Sequence, residues 1–239
     1  MPTYRDAAVV LGSYKFGEAD KVVVLLTHSH GKVRAVARGV RKTRSSIGAR
    51  LEPMSHVDIS LRSGRTLDTV AEVRMVETQS ALRGDLSLLQ QGLAMVEAID
   101  KMTPDNEPVP HLFETLVRGL RTLATERSST VLGAFFWRLL AMEGHAPMLE
   151  ACVKCGGAGP LVRFDTVGGG AVCQSCPGGL PVSAAALEIL AEILGGRVRD
   201  ALARKEGAAT SEVSVLAMDA MEAHLERRIR SLGGVDRHL

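Results

Sequence analysis

The chain has 239 residues, 46% of them hydrophobic and 23% charged, which is enough for one large or two ordinary globular domains. No apolar run approaches the roughly 20 residues of a membrane span and the N-terminus lacks a signal-peptide layout, so we expect a cytoplasmic protein with no membrane contact. The net charge of +2 conceals an asymmetry: residues 1–51 hold ten Lys and Arg against three Asp and Glu, a net +7, and the remainder carries −5. This asymmetry predicts that the N-terminal part meets a polyanion.

Residues 1–79 contain five short runs rich in β-branched residues, separated by breaks that contain Gly, Asp or Ser. In HVDISL, the apolar Val57, Ile59 and Leu61 alternate with polar residues, as in a strand with one buried face. Five strands at spacings of roughly ten residues predict a small Greek-key barrel or a sandwich. The five runs are VVLGSY, KVVVLLTH, KVRAVARGV, HVDISLRS and TLDTVAEVRMVE.

From about residue 80 the apolar residues recur every three or four positions, which predicts helices. Ser183 is a candidate N-cap for one of them, and a last long helix is predicted from Val215 to Leu232. The sequence therefore predicts a multi-domain α+β chain, with a β-domain over residues 1–79 and an all-α helical domain over 80–239. An insertion interrupts the helical domain at about residues 150–180. The other predicted helices lie near residues 82–96, 112–123 and 131–140.

All four cysteines fall in that insertion, in the pattern C-x2-C-x17-C-x2-C. Two such pairs supply the four thiolates that Zn²⁺ binds tetrahedrally, and disulfides are the less expected use in a cytoplasmic protein. Four protein ligands leave no open position for an activated water, so the predicted role is structural. His145 in place of one thiolate is an alternative. The predicted ligands are Cys152, Cys155, Cys173 and Cys176.

Residues 31–50 are strongly basic and contain no Asp or Glu. Arg34 and Arg38 are four positions apart on a predicted strand and so point to one face, and the following residues read as a mobile basic loop. A strand face with such a loop predicts contact with a nucleic-acid backbone, and a merely solvated loop is the alternative. Aromatic residues are only 3% of the chain, so we expect electrostatics to dominate stacking. The candidate contacts are Lys32, Arg34, Arg38, Arg41, Lys42, Arg44 and Arg50.

No nucleotide-binding loop, zinc-protease motif or nucleophile elbow appears in the sequence. His28 and His30 flank a predicted turn, where histidines are more often exposed polar residues than metal ligands. We therefore expect a protein that is not an enzyme.

The segments GEAD, THSHGK and ARGVRK-x-RSSIGARLEP, followed by a helical block with a four-cysteine insertion, resemble the bacterial DNA repair and recombination protein O (RecO) family. The resemblance implies an N-terminal OB-fold, a helical domain with a zinc site, and a nucleoid-associated protein that binds single- and double-stranded DNA. It further implies annealing of complementary strands, including strands coated by single-stranded-DNA-binding protein (SSB), and RecA loading at gaps together with RecR. It adds Arg5 and Arg74 as DNA contacts and places the SSB tail on the helical domain.

Two other functions remain open from the sequence. A zinc-ribbon protein-interaction adaptor in nucleic-acid transactions would use the four-cysteine site for recognition. A metal-dependent nucleic-acid enzyme would instead turn over DNA when a divalent metal is added.

Overall fold

The computed structural model describes residues 2–41, 46–128 and 130–233. The first five strands close into a barrel in the order β1-β2-β3-β5-β4, in which β3 pairs parallel with β5 and the other neighbours are antiparallel. A short helix, α1 (Ser46–Arg50), lies between β3 and β4. This arrangement is an OB-fold, so the barrel prediction is confirmed over the sandwich. The strands are β1 (Thr3–Phe16), β2 (Asp20–Thr27), β3 (Gly31–Ala37), β4 (His56–Arg62) and β5 (Asp68–Glu77).

Alternating apolar residues fill the barrel interior. Val10 on β1 and Leu25 on β2 face each other and are both fully buried. The partly buried Ile47 of α1 packs against the same core. The register between β1 and β2 shifts between Val10 and Gly12, so Leu11 is an extra residue on β1. Because side chains alternate with period 2, this bulge reverses which residues of β1 face outward beyond it.

The rest of the chain is helical apart from the cysteine insertion. The side chain of Asp85 caps α3 by accepting from the amides of Ser87 and Leu88, at 3.0 and 3.2 Å. Ser183 caps α6 as predicted, with its Oγ 3.1 Å from the amide of Ala186. The helices are α2 (Ser80–Arg83), α3 (Leu86–Met102), α4 (Pro110–Glu126), α5 (Thr130–Met142), α6 (Ala184–Leu194), α7 (Val198–Ala203) and α8 (Ala208–His224), followed by a 3-10 turn at Arg230–Leu232.

The chain divides into two compact units, Met1–Ala124 and Thr125–Leu239. The first unit therefore contains the barrel together with α2, α3 and most of α4. The boundary predicted between residues 79 and 80 separates the strands from the helices. The division after residue 124 separates two compact units, so it does not test that boundary. Among the described helices, none is both long enough and apolar enough to cross a membrane.

The predicted last helix from Val215 to Leu232 is wrong at both ends. The helix begins at Ala208 and ends at His224, and Glu226 follows with a left-handed φ of 51°. The carboxylate of Glu222 accepts a 2.8 Å hydrogen bond from the amide of Ile229, which stabilises the turn after the helix. The helical spacing of the apolar residues continues past the true end, because the 3-10 turn buries Leu232 as well.

The predicted insertion is a small antiparallel sheet in the order β7-β6-β8. Phe164 on β6 meets the ring of Trp137 on α5 at a centroid distance of 5.5 Å. The indole Nε1 of Trp137 donates to the carbonyl of Val213, 3.1 Å away, so both ends of this buried ring are held. The three strands are β6 (Leu161–Asp165), β7 (Gly170–Cys173) and β8 (Leu180–Pro181).

Candidate nucleic-acid interface and metal centre

Lys32 lies on the outer side of β3 but is buried, with 8% of the residue exposed. Its Nζ is 2.7 Å from the carbonyl oxygen of Asp100 and 3.4 Å from carboxylate oxygens of Asp100 and Asp105. A buried ammonium group needs such partners, because removing it from water without compensation is costly. The charge of Lys32 is therefore already matched within the chain.

Arg34 has the same acidic neighbour. Its Nε is 3.2 Å from Oδ2 of Asp105. Burial alone would raise the pKa of the Asp105 carboxyl, but the hydrogen bond and charge of Arg34, with the charge of Lys32, lower that pKa below its ordinary value. Local sequence patterns could not predict this pairing, because the acidic partner lies about 70 positions further along the chain.

The acidic connection between α3 and α4 runs alongside β3. The amide of Asn106 donates to the carbonyl of Lys32, 2.9 Å away, and Lys32 and Asp105 form a parallel bridge. Gly31 permits this approach, since a Cβ at that position would lie 1.9 Å from the carbonyl oxygen of Glu107. The connection thus brings negative charge onto the outer side of the strand that carries Lys32 and Arg34.

Arg38 and Arg41 lie beyond the end of β3 and are exposed. Arg41 donates to the carbonyls of Gly17 and Glu18 in the β1–β2 turn, at 3.3 and 2.8 Å. The amide of Gly39 donates to a carboxylate oxygen of Asp20 at 2.7 Å. These bonds attach residues 38–41 to the β1–β2 hairpin. We call residues 14–19 together with 38–41 the hairpin end of the barrel.

Cations at the hairpin end lack acidic partners. Lys15, Arg38 and Arg41 form no ion pair within the described part of the chain, and the carbonyl partners of Arg41 do not cancel its charge. The predicted contacts Lys42 and Arg44 follow directly in sequence but lie outside the described residues. Within the basic window, residues 31–50, the hairpin end therefore exposes positive charge that no carboxylate compensates among the described residues.

Arg50, the last residue of α1, borders a cleft of about 760 Å³. Its guanidinium donates to the carbonyl of Val73 at 2.9 Å, so its charge also remains uncompensated. The two further candidates beside this cleft are different. Arg5 pairs with Glu72 at 3.2 Å, and Arg74 pairs with Asp58.

The four predicted ligands of the metal centre converge. The sulfurs of Cys152, Cys155, Cys173 and Cys176 all lie within 4.8 Å of one another. The Sγ atoms of Cys155 and Cys173 are 3.7 Å apart, far beyond a disulfide bond. Four sulfurs about 2.3 Å from a common centre in tetrahedral geometry would lie about 3.8 Å from each other. The spacing therefore fits one tetrahedrally bound ion, and the cluster forms without His145.

Tight turns and backbone amides shape this centre. The amide of Gly156 donates to the carbonyl of Cys152 at 2.8 Å, which closes the first knuckle. Amides of Cys173, Lys154 and Cys155 lie around the sulfur of Cys152 and lower the pKa of that thiol to about 6. The neighbouring thiols raise the pKa of Cys176 to about 12. Four thiolates so close together need a cation to neutralise them, so the donor set fits a divalent metal ion.

The N-terminal part of the chain, residues 1–79, matches the family described as Recombination protein O N terminal, and residues 83–233 match Recombination protein O C terminal. The chain belongs to the RecO family. The resemblance predicted from the GEAD, THSHGK and ARGVRK segments is thus confirmed over nearly the whole chain.

Individual relatives of this chain support its assignment to the RecO family. It is 40% identical to the DNA repair protein RecO of Frankia casuarinae over 248 residues, covering 99% of this chain and all of the relative. It is 41% identical to the DNA repair protein RecO of Thermobifida fusca over 243 residues, with the same coverage. The RecO of Cutibacterium acnes is 46% identical over 190 residues, or 76% of this chain and 77% of that protein.

The histidine pair of the THSHGK turn does not converge on a common point in this RecO-family protein. The rings of His28 and Phe113 lie nearly perpendicular, whereas Nδ1 of His30 lies 2.6 Å from a carboxylate oxygen of Asp6, whose side chain is 4% exposed. Tyr4 stacks on His30 at a centroid distance of 4.3 Å, so this ring is engaged within the barrel. Periodicity could not reveal these contacts, because they join residues that are distant in sequence.

Proposed function

We propose that this RecO-family protein is a recombination mediator that works at the nucleoid in DNA repair. It binds single- and double-stranded DNA, anneals complementary strands, including strands coated with SSB, and with RecR promotes the loading of RecA at gaps. The main support is the hairpin end, where Lys15, Arg38 and Arg41 expose positive charge without acidic partners among the described residues. Two relatives that match this chain over their whole length are named DNA repair protein RecO.

The proposed mechanism is physical and involves no covalent step, so the protein is not an enzyme. Two complementary strands repel each other through their phosphates. A cationic surface that releases counterions from both backbones lowers this repulsion and raises the rate at which the strands meet. Contacts to phosphates carry no base information, so strands held in this way can slide until their bases pair.

The seven candidate contacts are not equal in this proposal. A phosphate can approach Arg38, Arg41 and Arg50 without displacing a carboxylate, whereas Lys32 and Arg34 would first have to leave Asp105. We therefore assign the main phosphate contacts to the hairpin end and Arg50. Lys42 and Arg44 extend the same run of charge.

The metal centre has a structural role in the proposal. Cys152, Cys155, Cys173 and Cys176 would hold one Zn²⁺, whose four thiolate ligands leave no position for a substrate. The ion would supply folding free energy to a three-stranded sheet that buries few apolar residues of its own.

The test is annealing of labelled complementary oligonucleotides, with and without SSB. We expect the triple variant Arg38→Glu, Arg41→Glu and Arg44→Glu to anneal at least tenfold more slowly than the parent while its circular dichroism shows a folded protein. Arg199→Glu, at an exposed position of α7, is a single charge-reversal control away from the barrel and should anneal normally. Unchanged annealing by a folded triple variant would contradict the proposal.

A second candidate function, the zinc-ribbon interaction adaptor, is favoured by one feature. Val167 lies at the tip of the β6–β7 turn and is 86% exposed, and Met148 nearby is 51% exposed. An adaptor acting through this tip predicts that Val167→Asp abolishes binding of RecR or SSB while annealing of bare DNA continues at the parental rate. Full retention of both partners by this variant would count against the adaptor.

A further inference from the structure

Two aromatic side chains are exposed at the hairpin end. Tyr14 is 47% exposed and Phe16 is 46% exposed, and they are the only aromatic residues among the large exposed hydrophobic residues of the described chain. A small protein with few aromatics normally buries them, because each ring carries a large apolar area. Two such rings together in solvent need a function to explain them.

The bulge at Leu11 is what turns these rings outward. Without the extra residue, positions 14 and 16 would share the inward face of Ala8 and Val10. In the observed register Tyr14 lies opposite Val22 and Phe16 opposite Asp20, whereas Ser13 lies opposite the core residue Val23. Bulges commonly re-aim side chains in this way. The outward pair is therefore a consequence of the strand's geometry and not of a frayed end.

The surroundings of the two rings are cationic. Arg41 binds the carbonyls of the turn that follows Phe16. Lys15 lies between the two rings in sequence and belongs to the opposite face of β1. Arg34, held by Asp105, is also an electrostatic neighbour of the Tyr14 side chain. The nearby acid Asp20 is engaged by the amide of Gly39, and Glu18 is the other acidic residue of the turn. An anionic ligand with flat apolar groups matches this combination.

We propose that Tyr14 and Phe16 form a stacking platform for two unpaired bases of single-stranded DNA, while Arg38 and Arg41 hold the adjoining phosphates. Residues two positions apart on a strand are separated by about 6.8 Å, twice the 3.4 Å thickness of a base step, so each ring has room for one base. Bases of a duplex are already stacked and cannot use the platform. This inference rests on the proposed DNA binding and gives that site a preference for single strands.

The test compares binding of a labelled 20-nucleotide single strand and a 20-base-pair duplex by fluorescence anisotropy. Stacking of one base on an aromatic ring contributes roughly five- to 150-fold in affinity. We expect Tyr14→Ala with Phe16→Ala to weaken single-strand binding at least tenfold and duplex binding less than twofold. The salt dependence of single-strand binding should keep its slope, because no phosphate contact is removed.

Two controls separate stacking from other effects. Tyr14→Phe with Phe16→Tyr keeps both rings and should bind single strands within about threefold of the parent. Tyr14→Leu with Phe16→Leu keeps the apolar area without the rings and should lose single-strand affinity as the alanine variant does. Val76→Ala, at an exposed apolar position of β5, should change nothing.

The outcomes distinguish this inference from the proposed function. If the parent protein binds neither DNA, the proposed function itself fails and the platform fails with it. If the parent binds and the alanine variant binds single strands equally well, the platform alone is refuted. Equal weakening on single strand and duplex, or full binding by the leucine variant, would also overturn stacking as the cause.

Discussion

Lys32 and Arg38 carry the same charge in one basic window but lie in different surroundings. Lys32 is buried against Asp100 and Asp105, whereas Arg38 is exposed and has no hydrogen bond or ion pair within the described residues. A buried, paired charge mainly supports the fold, and an exposed, unpaired one is available to a ligand. The two residues should therefore respond in opposite ways to removal of the charge.

We expect Lys32→Met to lower the free energy of unfolding by about 1.5–3 kcal/mol, because charged hydrogen bonds are lost. The loss should lie near the lower figure, since Asp100 and Asp105 are 43% and 45% exposed and can regain water. Arg38→Met should change stability by less than about 0.5 kcal/mol but weaken DNA binding. Urea denaturation and an oligonucleotide titration of both variants measure this. Equal stability loss in both would refute the distinction.

We expect the stability of the protein to depend on pH because of the buried His56. Burial lowers the pKa of its imidazole below the ordinary value near 6.5, and its Nδ1 has no hydrogen-bond partner in the described structure. The unfolded chain therefore binds this proton more readily than the folded one, so the free energy of unfolding falls as the pH drops below about 6.5. Arg121 lowers the pKa of Glu77, and Arg34 lowers that of Asp105. These two carboxyl groups therefore change the free energy of unfolding only in more acidic solution.

Urea denaturation at pH 5, 6 and 7 tests this expectation. His56→Leu should flatten the dependence without abolishing it, because burial also lowers the pKa of His224. An equivalent substitution of the exposed His111 serves as the control. An unchanged pH dependence in His56→Leu would show that another group is responsible.

Most long periodic elements were predictable, although both ends of α8 were not, and the short elements were missed. The five strands and helices α3 to α6 follow from alternation or from stripes of apolar residues in the sequence. Helices α1 and α7 have five and six residues, too few to show a period. The bulge at Leu11 was equally hidden, because one extra residue leaves no mark until the partner strand is known.

The metal centre was fully predictable as a cluster, since two C-x-x-C turns bring sulfurs together locally. We expect the protein to contain close to one equivalent of zinc by elemental analysis, and Cys152→Ser with Cys155→Ser to contain almost none. Amide hydrogen exchange over residues 148–181 should then become much faster, while single-strand affinity at the barrel stays within about twofold. A large loss of DNA binding in this variant would instead favour recognition through the zinc ribbon.

For the molecule as a whole, sequence reasoning gave the order of the parts but not the distribution of free charge. A count of charged residues gives residues 1–51 a net charge of +7. Such a count cannot distinguish among the seven candidate DNA contacts of the basic window. In the folded chain the acidic connection between α3 and α4 neutralises part of that charge at Lys32 and Arg34. Such long-range pairing depends on tertiary structure, which local patterns do not encode. The hairpin end and Arg50 retain uncompensated charge.

Binding of DNA phosphates at the hairpin end makes the affinity depend on salt concentration. For a single strand, four to six neutralised phosphates predict a slope of log affinity against log salt of roughly −3 to −4. Replacing Arg38 and Arg41 with Gln should make the slope shallower by about 1.4, at 0.7 for each lost contact. A slope near zero for the parent protein, or one that the double variant leaves unchanged, would contradict the account.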